Sequence, residues 1–457
     1  MALESPICVG VVSRLPAPVL NTAAFNILMS IALFIESPII DLLSTSTTLS
    51  KNHRDFAVLS KFVWYLVLFT AVVHTLMVLT PLYWVITRDI MGLQKDVAQT
   101  ARLGLAFMIP WSPAIAWRRY RQGLLIRFHQ TKMVGLGTVV RVCTIATVNL
   151  LLYFTTHLTG AQVVGCALVC AVVAEALFAQ WASRDVVRKH LTAEADQRQE
   201  VETTNPESGE EEITGGAMDL SEALSPVGTL DTQGEPARAE PLTMRKLFAF
   251  HSPLTLTTMV ALLGSPIISS FLSKAPNPVL TLASWQVAFS LLWMFRTITF
   301  ALPEVVITLY KDAQTARKLR DFCIWVGVGT SAVALIAAAL RLDYWFFTTV
   351  FQSTPQTAEL AHLTFLAAAP LGFVNSMQSY VRGMLTAHHL NVARFAAVIF
   401  GMVTMIVALV IGLHTPYRGV LSGAIAMNLG LIAELTVLAV AWKSGARKRS
   451  VPQTSTA

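Results

Sequence analysis

The sequence predicts an all-α polytopic membrane protein built from two parallel six-helix repeats, and three observations predict it. Of the residues, 54% are hydrophobic and only 13% charged, about half the charged fraction of a soluble chain. The apolar residues come in runs of about 20, the length a helix needs to cross a bilayer, separated by short polar breaks. Sliding the chain against itself by 260 residues gives an ungapped match over much of the first half.

That match places Ser5-Pro6-Ile7 on Ser265-Pro266-Ile267, and Pro16, Pro18, Val19 and Leu20 on Pro276, Pro278, Val279 and Leu280. Thr48, Leu49 and Lys51 meet Thr308, Leu309 and Lys311. Pro110 meets Pro370, and Tyr120, Gly123 and Leu125 meet Tyr380, Gly383 and Leu385. One residue is lost near the end, so that Ala174-Glu175 matches Ala433-Glu434. A duplication reads at the whole-chain level before any single helix does. An even number of spans per repeat gives both halves one orientation, with a pseudo-two-fold along the membrane normal and a site at the interface.

The N-terminal lobe is expected over 1–183, with spans near 1–13, 19–48, 60–83, 99–125, 133–156 and 160–183. The first span opens without a basic segment, so it does not read as a cleavable signal. It is also too short to cross a bilayer. Its counterpart, the seventh span, begins near Lys246, whereas Met1 stands opposite Ala261. The true start is therefore expected upstream, or the product is truncated, and the reading frame before Met1 decides between them. The second span carries Glu36-Ser37-Pro38 amid apolar residues. A charge at mid-bilayer costs about 2.5–3.5 kcal/mol on insertion scales, so such a residue faces a protein interior or an aqueous cavity.

Residues 184–245 form an acidic stretch: 13 of the 27 acids lie between Glu194 and Glu240, with Arg198 and Arg238 as the basic residues. Such a composition cannot bury a core and predicts a disordered cytoplasmic linker. The rest of the chain carries 32 basic and 14 acidic residues, which positive-inside loops explain better than nucleic acid does. The C-terminal lobe is expected over 246–442, with spans near 246–273, 279–310, 320–341, 357–386, 391–413 and 417–442, followed by a basic tail, 443–457. Arg118, Arg119, Arg121, Arg127 and Lys132 crowd one turn; Lys311, Arg317, Lys318 and Arg320 crowd another; Lys443, Arg447, Lys448 and Arg449 close the chain. Both termini and the linker are therefore placed in the cytoplasm, and the protein in the cell membrane.

The candidate site is a set of polar groups inside spans. Glu36 has Arg296 as its counterpart at the same offset, so two related central helices carry opposite charges at one depth. An ion pair across the cleft is expected to reduce the cost of both, serving as gate, binding group or inter-lobe lock. Glu4, Asp41 and Glu304 add acids on the same helices or the one before; a buried carboxylate among them can titrate and couple to protons. Asn375, Gln378 and Arg382 share one helix face, and their counterparts Ile115, Arg118 and Gln122 exchange arginine and glutamine. Together with Arg119 and Arg121 these predict a basic cytoplasmic mouth or ordinary anchoring. Glu175 and Glu434, paired by the repeat, are expected to bond neighbouring helices. No HExxH, Walker loop or GxSxG occurs, so an enzyme, ATP and a bound cofactor are not indicated. The five cysteines have neither disulfide nor zinc spacing.

Three phrases carry a resemblance: Phe34-Ile35-Glu36-Ser37-Pro38-Ile39-Ile40-Asp41, then Pro110-Trp111-Ser112-Pro113-Ala114-Ile115-Ala116-Trp117-Arg118-Arg119-Tyr120, then Arg121-Gln122-Gly123-Leu124-Leu125-Ile126-Arg127. With six plus six spans and a central linker, the chain resembles the multidrug and toxic compound extrusion (MATE) transporters and their wider superfamily. The phrases are closest to a prokaryotic branch similar to the progressive ankylosis (ANK) transporters. The resemblance implies a V-shaped two-lobe fold working by alternating access, coupled to a proton or sodium gradient, with no other cofactor. The implied partners are the lipid bilayer and a small solute, with no nucleic acid, and the protein is expected to be a monomer. A secondary transporter exporting a small anionic solute is the leading reading. A cation or drug antiporter, a lipid-linked precursor flippase and a non-transporting scaffold are the alternatives.

Overall fold

The computed structural model describes residues 3–192, 242–310, 312–387, 391–415 and 419–450, and these form helices and turns without a strand. The first lobe comprises α1 (Glu4–Val12), α2 (Pro18–Ile40), α3 (Leu42–Leu49), α4 (His53–Leu79), α5 (Lys95–Phe107), α6 (Trp111–Arg127), α7 (Thr131–Thr155), α8 (Gly160–Ala182) and α9 (Arg184–His190). The second comprises α10 (Met244–Leu272), α11 (Pro278–Thr297), α12 (Leu302–Leu309), α13 (Ala313–Ala339), α14 (Pro355–Ala368), α15 (Leu371–Ala387), α16 (Asn391–Leu413) and α17 (Val420–Ser450).

Every expected span is a helix or a broken helix. Among the described residues, ten stretches are long and apolar enough to cross a membrane. The other two expected spans differ for physical reasons: α1 has only nine residues, and α5–α6 carries Arg102, Arg118, Arg119 and Arg121 within its length. The flanks of the expected linker are helical, since Arg184–His190 forms α9 and Met244 opens α10. Residues 193–241 and 451–457 lie outside the described residues. The first part of the basic tail continues α17 as far as Ser450.

The duplication is visible in backbone chemistry. Pro18 and Pro278 each open a helix, where the missing N–H costs nothing and φ is already set. Asn52 caps α4 by accepting from the Asp55 N–H at 2.8 Å, and Asp312, its counterpart, caps α13 by accepting from the Thr315 N–H at 2.7 Å. Wide π-type turns recur in step: Met91 N–H bonds the Ile86 carbonyl and Phe351 N–H the Phe346 carbonyl.

Four helical breaks position the charged groups. At Pro38 the missing N–H strands the carbonyl of Phe34, and the Ser37 hydroxyl donates to it at 2.6 Å. The helix then ends at Asp41 before α3 begins. At the repeat-related depth α11 gives way to a 3-10 turn, Ile298–Ala301, before α12. Pro110 separates α5 from α6, and Pro370 separates α14 from α15.

Helices within a lobe approach closely where both sides lack a side chain. A Cβ on Gly165 would lie 2.6 Å from the Gly104 carbonyl, and one on Gly430 would lie 2.8 Å from the Gly401 carbonyl. Without a hydrophobic drive in lipid, such small-residue contacts carry helix association. The lobes meet where α2 packs against α10 and α11, and α1 against α11. Asn26 Nδ2 donates to Ser269 Oγ at 3.1 Å, and Ser30 Oγ lies 2.9 Å from Ser265 Oγ. The symmetry-related contact joins Gln286 Nε2 to Ser5 Oγ at 3.3 Å.

Candidate functional site

In α6 the arginines come nearly in succession, and each residue turns the helix by about 100°. They therefore point in separate directions. Arg118 points into its own lobe, where its Nη1 donates to Glu175 Oε2 at 2.8 Å. Gln122, one turn on, donates to Glu175 Oε1 at 3.0 Å. Arg121 lies over the rings of Trp117 and Tyr120. Arg119 is within electrostatic reach of Glu36 and Asp41. From α7, Arg141 donates to Glu175 at 3.3 Å and to Glu4 Oε2 at 2.5 Å. Glu36 is buried, and the donor on it is Trp111 Nε1 at 2.9 Å.

The second lobe repeats this arrangement with altered chemistry. Arg382 pairs with Glu434, as Gln122 bonds Glu175 in the first lobe. Gln378, the counterpart of Arg118, turns instead to the Leu431 carbonyl at 2.9 Å. Arg296 Nη2 reaches Asn375 Oδ1 at 3.4 Å and lies over the Trp293 ring. Arg394 is within electrostatic reach of Arg382, Glu434 and Asp41.

Two expectations are corrected. Glu36 and Arg296 do not form an ion pair: each bonds within its own lobe. Helix phase is the reason. Asn26 and Ser30 lie on the seam face of α2, and Glu36 sits about 100° round the helix from them; the repeat gives Arg296 the same phase. Arg118, Gln122, Asn375 and Gln378 do not line a cytoplasmic mouth either. All four are buried, because α6 packs between α3, α4 and α8, and α15 between α13, α12 and α17. The arginine surplus in this turn reads as topology in the sequence, but its first member is an interior ion-pair partner.

Asp41 sits at the break between α2 and α3, and its Oδ2 accepts from Thr258 Oγ1 of α10 at 2.8 Å. Beside it, His251 of α10 donates through Nε2 to the Pro38 carbonyl at 2.8 Å, and its Nδ1 lies 2.9 Å from Thr45 Oγ1. The second lobe thus caps the carbonyl that the break exposes. Glu304 is on α12, with its side chain outside the described residues. The structure brings Glu4, Arg118, Gln122 and Glu175 into one cluster, and Asn375 to Arg296.

Sequence reasoning missed Arg141, Trp111 and Arg394. Arg141 carried a usable signal, since it is the one charged residue between Met133 and Phe154 of an apolar run. Trp111 and Arg394 carried none: an indole and a helix-start arginine are ordinary near membrane interfaces. Among the described residues, no cluster of histidine, cysteine and acid groups could hold a metal ion.

No family model and no curated protein matches the chain. Among solved structures it is similar to an inward-facing multidrug resistance MATE family transporter of the MOP superfamily, with TM-score 0.67 and 12% identity, covering 100% of this chain and 96% of that one. It is similar to the lipid II flippase MurJ in an inward closed conformation, with TM-score 0.62 and 12% identity over 97% of this chain and 86% of that one. A MOP superfamily transporter from Pyrococcus furiosus, whose binding pocket is described as reversed in polarity, matches with TM-score 0.55 and 14% identity over 98% and 95%. At these identities the likeness is one of fold. The chain has the two-lobed MATE-type fold of a polytopic membrane protein.

Proposed function

We propose that this protein is a secondary active transporter that exports a small anionic solute across the cell membrane by alternating access. Transport is supported by the fold, shared with transporters and a flippase, and by charged side chains on the helices that flank the lobe interface. The observation that carries the anionic reading is the set of second-lobe arginines. Arg382 and Arg394 lie near each other beside Glu434, with Asp41 of the first lobe also in electrostatic reach, and the buried Arg296 bonds the neutral Asn375. A surplus of guanidinium groups favours a carboxylate or phosphate over an organic cation. Glu36 on α2 and Asp41 at its end are the carboxylates to which we assign the coupling of solute movement to a proton or sodium gradient. The three motif phrases support an ANK-like branch, and the basic turns support cytoplasmic termini.

Reconstitution into proteoliposomes tests this. Di- and tricarboxylates or pyrophosphate are expected to move under an imposed proton or sodium gradient, and cationic dyes are not. Movement of dyes alone, or of nothing under any gradient, would overturn the anionic reading.

One observation favours a second reading, a lipid-linked precursor flippase. An apolar groove of about 650 Å³ lies between α4 and α10, walled by Phe62, Tyr65, Phe69 and Phe248 with Arg245 at its rim. Such a groove admits an acyl or isoprenoid chain beside a phosphate. A lipid-linked precursor arm in the same assay separates the two readings.

A further inference from the structure

His251 of α10 reaches across the lobe seam and makes two contacts at the broken end of α2. Its Nε2 lies 2.8 Å from the Pro38 carbonyl oxygen and its Nδ1 lies 2.9 Å from Thr45 Oγ1. Thr45 Oγ1 in turn lies 2.9 Å from the Asp41 carbonyl oxygen. Each of these contacts needs a hydrogen of its own, and a carbonyl oxygen brings none. A neutral imidazole and the threonine hydroxyl bring two hydrogens between them, so one contact goes unmade. An imidazolium brings the third. Its Nε2–H then serves Pro38, its Nδ1–H serves Thr45, and the hydroxyl keeps Asp41.

The surroundings poise the ring between its two forms. It is buried, which opposes a charge. Asp41 is the charged group within electrostatic reach of it among the described residues, and the Asp41 carboxylate is tied to α10 by Thr258 at 2.8 Å, two turns beyond His251. From α4 the ring meets Phe62, edge to face with centroids 5.2 Å apart. Arg119 of α6 and Arg394 of α16 also draw on Asp41. The added proton is therefore favoured by the completed set of hydrogen bonds more than by charge alone.

We propose that His251 is a proton-operated latch between the lobes: its second proton fastens α10 to the α2–α3 break, and that proton leaves as the lobes part. This rests on the alternating-access reading above and names the proton as the coupling ion. Parting α10 from α2 takes the Pro38 and Thr45 acceptors away and opens the ring to water, which accepts the proton. The proton thus binds one lobe arrangement better than the other, the difference that a conformational shift requires.

Spin labels at Ser44→Cys on α3 and Ala249→Cys on α10, both exposed positions, test the latch in the full chain without its native cysteines. Pulsed electron resonance reads the populations of closed and parted seam. From about pH 8 to about pH 5, where histidine takes up its proton, the ratio of closed to parted should rise about tenfold. That is the worth of one added hydrogen bond from a charged group. His251→Gln keeps a donor for Pro38 but takes no proton, and Thr45→Val removes the hydroxyl; each should abolish the rise. Two populations whose ratio does not rise with acid, or a rise that persists in either variant, would overturn the latch and leave alternating access standing. One population at every pH, with or without citrate or pyrophosphate, would overturn both.

Discussion

A contact between guanidinium and carboxylate has very different value at different depths in this molecule. Arg188 and Asp185 lie 3.3 Å apart with side chains 77% and 70% exposed, and such pairs contribute about 0–1 kcal/mol. Arg141 makes the same chemical contact with Glu4 and Glu175, yet its side chain is 4% exposed. Removing one member of a buried group leaves a charge uncompensated, at about 3–5 kcal/mol. Arg141→Met is therefore expected to lower thermal stability in detergent by that amount, and Arg188→Ala by less than about 1 kcal/mol. Comparable losses from the two variants would show that depth does not decide the matter.

At the level of the element, the broken helix α2 is a local solution to one missing hydrogen. Pro38 cannot donate, so the Phe34 carbonyl takes the Ser37 hydroxyl instead. Ser37→Ala should thus cost about 1–3 kcal/mol in the natural background, the penalty for a buried acceptor left bare. In a Pro38→Ala background the restored N–H reaches that carbonyl, and Ser37→Ala should become nearly neutral. Thermal melts of the two single variants and the double variant measure this coupling. Additive losses would mean that Ser37 does not act for the proline. The further break at Asp41 has a separate support, His251 from the other lobe.

For the whole molecule, the seam between lobes is the mechanical question. Asn26 and Ser30 of α2 meet Ser265 and Ser269 of α10, and Gln286 meets Ser5. The proposed alternating access requires these contacts to part. A Ser30→Cys, Ser265→Cys pair in a background without the native cysteines should cross-link, since the two hydroxyl oxygens lie 2.9 Å apart. Cross-linking should stop solute movement in proteoliposomes, and reductant should restore it. Undiminished transport by the cross-linked protein would remove this seam from the moving parts.

Much of this architecture was legible because its causes are local or periodic. Apolar run length dictates the spans, proline at positions 18, 110, 278 and 370 punctuates them, and the offset of Ser5 from Ser265 discloses the duplication. These depend on backbone hydrogen bonding and transfer free energy, which act residue by residue. Partnership was not legible. The repeat set Glu36 opposite Arg296 in depth, but helix phase turned Glu36 to Trp111 and Arg296 to Asn375. Arg118 read as an anchoring charge until packing of α6 inside its lobe gave it Glu175. Depth along a helix is written in one dimension; rotation about the axis, and the neighbour it meets, exist only once the helices pack.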